Sequence, residues 1–114
     1  MTEVKRPGEE LLPSVYDLWH NYPNPFNPTT TIVYALPRSS RVTLEVYNLL
    51  GQCVRTLVDE TEPPGVHRVL WDGRDANGQQ VSSGCYFYRL VAQSTPAGAP
   101  SQRFVKTLKM LLLQ

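Results

Sequence analysis

The residues best suited to chemistry lie in one acid-rich loop that runs from Asp72 to Gly78. Carboxylate and amide oxygens are the ligands that calcium prefers, so Asp72, Asp75 and Asn77 are candidate calcium ligands. An EF-hand register with Gly78 as the invariant glycine lacks the first acid and puts Gly84 where the bidentate glutamate belongs. The same three residues favour Asx turns, in which their side chains accept hydrogen bonds from their own loop. We favour the turns and keep a loose calcium site as the alternative.

Nucleophilic or zinc chemistry would need the histidines and cysteines, which are His20, His67, Cys53 and Cys85. Neither a nucleophile elbow nor a glycine-rich oxyanion loop accompanies them, and their spacing is too wide for a zinc site. We therefore predict that the chain is not an enzyme and needs no cofactor. The cysteines could pair in an oxidising compartment, but we favour two separate thiols.

Composition limits the remaining function classes. A chain of 114 residues suits one domain, and its formal net charge of +1 gives no reason to expect binding to nucleic acid. No apolar stretch approaches the length of a membrane span, and the charged N-terminus lacks the apolar core of a secretory signal. We expect residues 1–13 to be a linker or an added segment and residues 14–114 to form the domain.

An unusual proline-rich run spans residues 21–28, with the sequence Asn21-Tyr22-Pro23-Asn24-Pro25-Phe26-Asn27-Pro28. Each proline fixes its own φ, removes a backbone donor and pushes the preceding residue out of the helical region. The run cannot be a helix or a central strand. Because disordered segments are poor in aromatic residues, we expect the rings of Tyr22 and Phe26 to hold a rigid corner against a core.

The rest of the chain alternates with a period of two, which indicates β-strands. Gly51 lies in a predicted hairpin turn, and residues 52–58 fit either its return strand or a helical turn. Trp71 ends a predicted strand just before the acid-rich loop and faces the same way as Val69, so we expect it in the core. Short strands with turns at regular spacing predict an antiparallel β-sandwich of about seven strands. The clearest strand patterns lie at residues 30–36, 41–47, 67–71, 85–90 and 102–113.

Two surfaces could bind a partner. Tyr47, Phe87 and Trp19 are candidates for outward positions, where aromatic rings could bind carbohydrate, although packing in the core or corner is the interpretation that we favour. The second surface is the last strand, which is the most apolar run of the chain and contains Lys106 and Lys109 as possible guards against edge-to-edge aggregation.

The chain contains five characteristic blocks, at residues 21–32, 46–52, 71–78, 83–90 and 109–114. In this order and spacing, the blocks closely resemble the C-terminal sorting domains of type IX secretion cargo proteins. That family is related to the immunoglobulin-like domain of flagellar hook-capping proteins. The resemblance covers residues 15 to 114. The structural positions that carry it are Tyr22, Pro23, Asn24, Pro25, Phe26, Asn27, Pro28, Gly51, Trp71, Asp72, Gly73, Gly78, Gly84, Tyr86 and Tyr88, and its terminal positions are Lys106, Lys109, Met110, Leu111, Leu112 and Leu113.

The resemblance implies an immunoglobulin-like sandwich that directs a larger protein through the periplasm to the surface of a Gram-negative cell or into the medium. The implied partners are the type IX secretion machinery, a sortase-like surface protease and an upstream cargo domain in the same precursor. The terminal Lys-containing strand would be the recognised element. Gln114 departs from the family, in which a basic residue is usual. A hook-cap-like assembly domain and a carbohydrate-binding module are the alternatives.

Overall fold

The computed structural model describes residues 12–94, 96–98 and 100–114, and within them the secondary structure is all β. The first eleven residues of the predicted linker lie outside this part. The seven strands are β1 (Asp17–Leu18), β2 (Thr30–Leu36), β3 (Ser40–Tyr47), β4 (Cys53–Glu62), β5 (Gly65–Trp71), β6 (Gly84–Ser94) and β7 (Gln102–Leu112). The described residues contain no helix that could span a membrane.

The strands form two antiparallel sheets with the orders β1-β2-β5 and β4-β3-β6-β7. The predicted sandwich is therefore confirmed. β7 is an edge strand, and it lies next to the short β1 of the opposite sheet, where Lys106 reaches Asp17 across the gap. This flank of the sandwich is where the ends of the domain meet.

Alternation within each strand produces the core, because successive side chains point to opposite faces. In β3, Val42, Leu44 and Val46 are fully buried, while the residues between them reach the surface. The segment after Gly51, which has a φ of 79°, is the return strand and not a helical turn. Its pairing with β3 contains two register shifts, which mark bulges.

Trp71 is fully buried at the centre of an aromatic cluster, as expected. Its ring centroid lies 5.7 Å from that of Phe26 and 5.5 Å from that of Tyr86, in tilted and edge-on geometries. These are the separations that aromatic pairs favour. The indole N–H donates to the carbonyl oxygen of Arg74 at 2.9 Å, so the one polar atom of this ring is satisfied.

The hydroxyl of Tyr88 connects the two sheets. The ring projects from β6 into the core, and the hydroxyl donates to the carbonyl oxygen of Trp19 at 2.7 Å and accepts the buried N–H of Asn21 at 2.8 Å. Desolvation raises the pKa of Tyr88 to about 12, so the neutral hydroxyl is retained at all ordinary pH values. β1 itself pairs with only two residues of β2. The segment that follows β1 is thus fixed by a side chain of the other sheet.

We expect Tyr88→Phe to lower the free energy of unfolding by about 1–3 kcal/mol, because a buried N–H and a carbonyl lose their partner. Chemical denaturation would measure the loss. Tyr47→Phe is the matched control, since its hydroxyl bonds Glu45 and Arg89 on the outer face, and we expect it to change stability by less than about 0.5 kcal/mol. Equal losses in the two variants would contradict the role given to Tyr88.

Candidate functional site: the terminal strand and the proline corner

Residues 21–28, which we call the proline corner, pair with the end of β7. The N–H of Phe26 donates to the carbonyl oxygen of Leu111 at 3.0 Å, and the N–H of Leu113 donates to that of Phe26 at 2.9 Å. Asn24 Oδ1 accepts the N–H of Leu111 at 2.9 Å. The corner therefore acts as a short additional strand that covers only the last part of the β7 edge.

The corner keeps its shape through polar side chains, because its prolines donate no backbone hydrogen bonds. Asn21 is buried, and its amide nitrogen donates to Thr30 Oγ1 at 3.0 Å and to the carbonyl oxygen of Pro23 at 3.3 Å. Thr30 Oγ1 in turn donates to the same carbonyl at 2.9 Å. This network links the start of the corner to the first residue of β2.

Of the two rings expected to hold the corner, only Phe26 does so. Phe26 is 2% exposed and packs in the core, whereas Tyr22 is 81% exposed, so the expectation for Tyr22 was wrong. The backbone of Tyr22 exchanges two hydrogen bonds with Thr31, at 2.9 and 3.0 Å. Tyr22 is thus held by its main chain, and its ring lies at the surface.

The loop after β5 packs under the corner at Gly73. This residue has a φ of 75°, and a Cβ added there would lie 3.1 Å from the carbonyl oxygen of Pro28 and 3.7 Å from Leu112. Only glycine fits both the backbone conformation and the space. Three of the motifs recognised in the sequence, the corner, the Asp-Gly loop and the terminal strand, therefore meet at one place.

The candidate recognition residues divide between the interior and the surface. Met110 and Leu112 are core residues, Leu111 is partly buried, Leu113 is half exposed and Lys109 is exposed. Beyond β7, the N–H of Gln114 donates to Ser83 Oγ at 2.9 Å, and its side chain donates to the carbonyl oxygen of Val81 at 2.7 Å. A partner that binds this folded domain can therefore touch Lys109 and Leu113 but not Met110 or Leu112.

Lys106 lies on the inward-facing side of β7 and bridges the two sheets. Its Nζ is 2.9 Å from Asp17 Oδ1. The hydrogen bond from Lys106, and then that from the N–H of Leu18, hold the pKa of Asp17 below its ordinary value of 3.8. Phe104 lies two residues before Lys106 on the same face of β7, and its ring stacks on that of Tyr16 with the ring centroids 5.7 Å apart. Lys106 therefore links β7 to β1 of the other sheet through an ion pair.

The acid-rich loop uses its oxygens internally. Asp72 Oδ1 accepts the N–H of Arg74 at 3.1 Å, and Asp75 Oδ1 accepts the N–H groups of Asn77 and Gln79 at 2.9 and 3.0 Å. These are the Asx turns of the favoured interpretation. Among the described residues, no three acidic, histidine or cysteine side chains converge as a metal site would require.

The outward aromatic residues do not form a common platform. Tyr47 and Phe87 are cross-strand neighbours on the outer face of the larger sheet, but the guanidinium of Arg89 covers the Tyr47 ring at 4.9 Å from its centroid. Trp19 lies on the other sheet, beside Val33 of β2. A sugar ring would have to displace Arg89 before it could stack on Tyr47.

The histidines and cysteines have structural surroundings. The ring of His67 stacks on Tyr34 at 5.3 Å, and its Nε2 lies 2.8 Å from the carbonyl oxygen of Pro63. Tyr34 donates to Glu62, and burial followed by this bond raises the pKa of Tyr34. Cys53 and Cys85 are free, and β3 lies between their strands, a separation of about 10 Å that no disulfide spans.

Sequence reasoning missed three surface residues of β7, namely Arg103, Val105 and Thr107, all of which are exposed. They share the parity of Lys109, so they lie on the same face of the strand. The sequence contained the signal, because Lys106 has the parity of the apolar residues Met110 and Leu112, whereas Lys109 has the parity of Arg103, Val105 and Thr107.

The comparisons with known proteins agree with this architecture. The sequence model of the FlgD Ig-like domain matches residues 27–96. A search of curated proteins found no significant match. FlgD from P. aeruginosa is 27% identical in sequence and superposes with a TM-score of 0.51, and the match covers 71% of this chain and 60% of that one.

Two further solved structures are similar. Dimeric latent PorU from Porphyromonas gingivalis is 21% identical with a TM-score of 0.67, over 87% of this chain and 9% of its own. PorZ, described as an essential surface component of the type IX secretion system of the same bacterium, is 20% identical with a TM-score of 0.48, over 85% of this chain and 11% of its own. At these identities the similarity to PorU concerns the fold. The chain spans only part of the length of each solved relative.

We expect Gly73→Ala to lower the free energy of unfolding by about 2 kcal/mol or more, because a positive φ is unfavourable for alanine and its Cβ would crowd Pro28. Gly78→Ala is the matched control, since Gly78 has a φ of 80° but no atom near the added Cβ. That control should lose about 1 kcal/mol. Urea denaturation of both variants measures the difference, and equal losses would show that the contact with the corner contributes nothing.

The Asp17–Lys106 pair should make stability depend on pH in the acid range. Because the folded pKa of Asp17 lies below the unfolded one, the stabilisation is complete above the ordinary carboxyl pKa and is lost as pH falls through the folded value. Asp17→Asn should therefore cost less than about 1 kcal/mol at neutral pH and progressively less in acid. Denaturation across pH, in a double-mutant cycle with Lys106→Met, measures the coupling. A coupling that did not fall in acid would contradict the ion pair.

Proposed function

Since the chain belongs to the FlgD Ig-like domain family, we propose that it is a non-catalytic sorting and surface-anchoring module of a larger exported protein, recognised by the type IX translocon. The family is a non-enzymatic structural fold. In this chain the Tyr88 hydroxyl joins the two sheets, and Asp72 and Asp75 form turns in their own loop. An upstream cargo domain would precede residue 14, and a sortase-like protease would remove the module at the cell surface.

The observation that carries the proposal is the convergence of three motifs at one end of β7. The proline corner, the loop at Gly73 and the terminal strand contact one another through Phe26, Pro28 and Leu112. The sorting-domain resemblance rests on these same motifs. A rigid frame around the end of β7 suits recognition, because a partner then binds a preformed strand without paying to order it.

The proposal does not invoke calcium, since the Oδ1 atoms of Asp72 and Asp75 accept hydrogen bonds within their own loop. Carbohydrate binding has less support, because Arg89 covers the Tyr47 ring. A hook-cap-like assembly role is the second candidate. The match to the FlgD Ig-like domain and the similarity to a solved FlgD favour it.

The experiment that tests the proposal is export of a reporter. A signal peptide and a reporter are fused ahead of residues 1–114 and expressed in a type IX-competent bacterium and in a strain that lacks the translocon. We expect the reporter at the surface or in the medium only when the translocon is present. Retention in the periplasm of both strains would contradict sorting and favour the assembly role.

Point variants sharpen this test, because deletion of the last strand would remove Met110 and Leu112 from the core and unfold the domain. Lys109→Glu reverses an exposed charge on β7 and should reduce export while the domain stays folded. Arg68→Glu reverses an exposed charge on β5 of the other sheet and serves as the control. Equal export of the two variants would show that the β7 surface is not what the translocon reads.

A further inference from the structure

The outer edge of β7 is open over most of its length. In a strand, alternate residues direct both backbone groups to the same side. The backbone groups of Leu111 and Leu113 point away from β6, since they bond to Phe26. By the same alternation, the backbone groups of Arg103, Val105, Thr107 and Lys109 also point away from β6. Within the described residues, no other strand or loop makes a backbone hydrogen bond to the outward groups of these four, although β1 lies nearby on the inward side.

The proline corner fixes where this open edge ends. Phe26 and Asn24 already occupy the backbone groups of Leu111. A strand added to β7 must therefore stop at Lys109, and its length is limited to the segment opposite residues 103–109, about 20 Å. The corner thus sets the register of an incoming strand, which an unbounded edge would leave free to slip.

The side chains on this edge are positive at both ends. Arg103 and Lys109 are exposed, and Val105 and Thr107 lie between them on the same face. Lys106 is paired with Asp17 on the inward side, so it does not contribute to this face. No acidic residue occupies an outward position between Arg103 and Lys109. The face is therefore complementary to a partner that carries negative charge.

A second copy of this chain is a poor partner for the edge. Antiparallel pairing of two β7 strands centred on Lys106 would place Arg103 of one copy opposite Lys109 of the other. Like charges in directly opposed positions destabilise a strand pair. The basic ends therefore protect the edge against self-association, which is how natural proteins manage exposed edges.

We propose that the open edge of β7 binds an extended peptide strand that carries acidic side chains opposite Arg103 and Lys109, with β-branched residues between them. Main-chain hydrogen bonds to the outward groups would supply affinity, and the two acids would fix register and choose the partner. This inference rests on the proposed function in one respect, since it assigns such a strand to the export machinery.

The direct test uses the full chain and a short capped peptide that alternates threonine and valine, with glutamate at both ends on one face. We expect calorimetry to detect binding, and amide NMR shifts to follow residues 103–109. Lys109→Glu should weaken binding about fivefold. A peptide in which lysine replaces only the glutamate opposite residue 109 should recover the binding of this variant. Binding that ignores both charge changes, or no binding by the wild-type chain, would overturn the proposal.

Proline substitution tests the backbone component. Thr107→Pro removes an outward N–H and should abolish peptide binding, because proline is tolerated at edge positions that face solvent but cannot donate. Thr61→Pro on β4, the opposite edge of the same sheet, is the matched control and should bind normally. Circular dichroism checks that both variants remain folded. If Thr107→Pro does not fold, the charge dependence measured with Lys109→Glu decides whether the β7 edge binds the peptide. Dimerisation of the wild-type chain that Thr107→Pro abolished would assign the edge to a second copy and overturn the proposal.

The same variants in the reporter fusion separate this inference from the proposed function. If the wild-type fusion is not exported but the peptide binds with the expected charge dependence, the sorting function fails and the edge site stands. If the fusion is exported and Thr107→Pro and Lys109→Glu are exported equally well, the sorting function stands and the edge is not its recognition site.

Discussion

The bonds between Phe26 and the end of β7 are the constraint on which the other features depend. They satisfy backbone groups of an edge strand, and they bring the Phe26 ring against Trp71 in the core. Because the neighbouring prolines cannot donate, the corner must be held by side chains such as Asn21 and Asn24. One contact therefore determines the shape of the corner, the filling of the core and the point at which the β7 edge opens.

The two sheets are joined at their flank by groups that are polar at the tip and apolar along the stem. Tyr88 reaches the segment after β1 with its hydroxyl, and Lys106 reaches Asp17 with its ammonium. The Tyr88 ring is fully buried in the core, whereas the Lys106 side chain is 40% exposed, so the two contacts join the sheets at different depths. The short β1 pairs with only two residues of β2, so the contacts from the other sheet add to the few that its own sheet provides.

Alternation of apolar residues was enough to predict the main strands and the core position of Trp71, because burial of one face imposes that period. It could not place Tyr22. An isolated extended segment has a face only once its pairing partner is known, and Thr31 is the partner that turns Tyr22 outward. Asp and Asn residues occur both in turns and in ligand sets, so the sequence left the two interpretations side by side, and the bonds of Asp72 and Asp75 show the turns.

The pairing of Phe26 with β7 also has a consequence for how the chain acquires its structure. The contact joins segments near the two ends of the domain, so forming it closes a loop that contains nearly all the other strands. Closure of so long a loop costs entropy before any contact repays it, which makes such pairings slow to form. Phe26, Trp71 and Leu112 belong to one hydrophobic cluster to which both sheets contribute, so we expect the sandwich to fold as one cooperative unit.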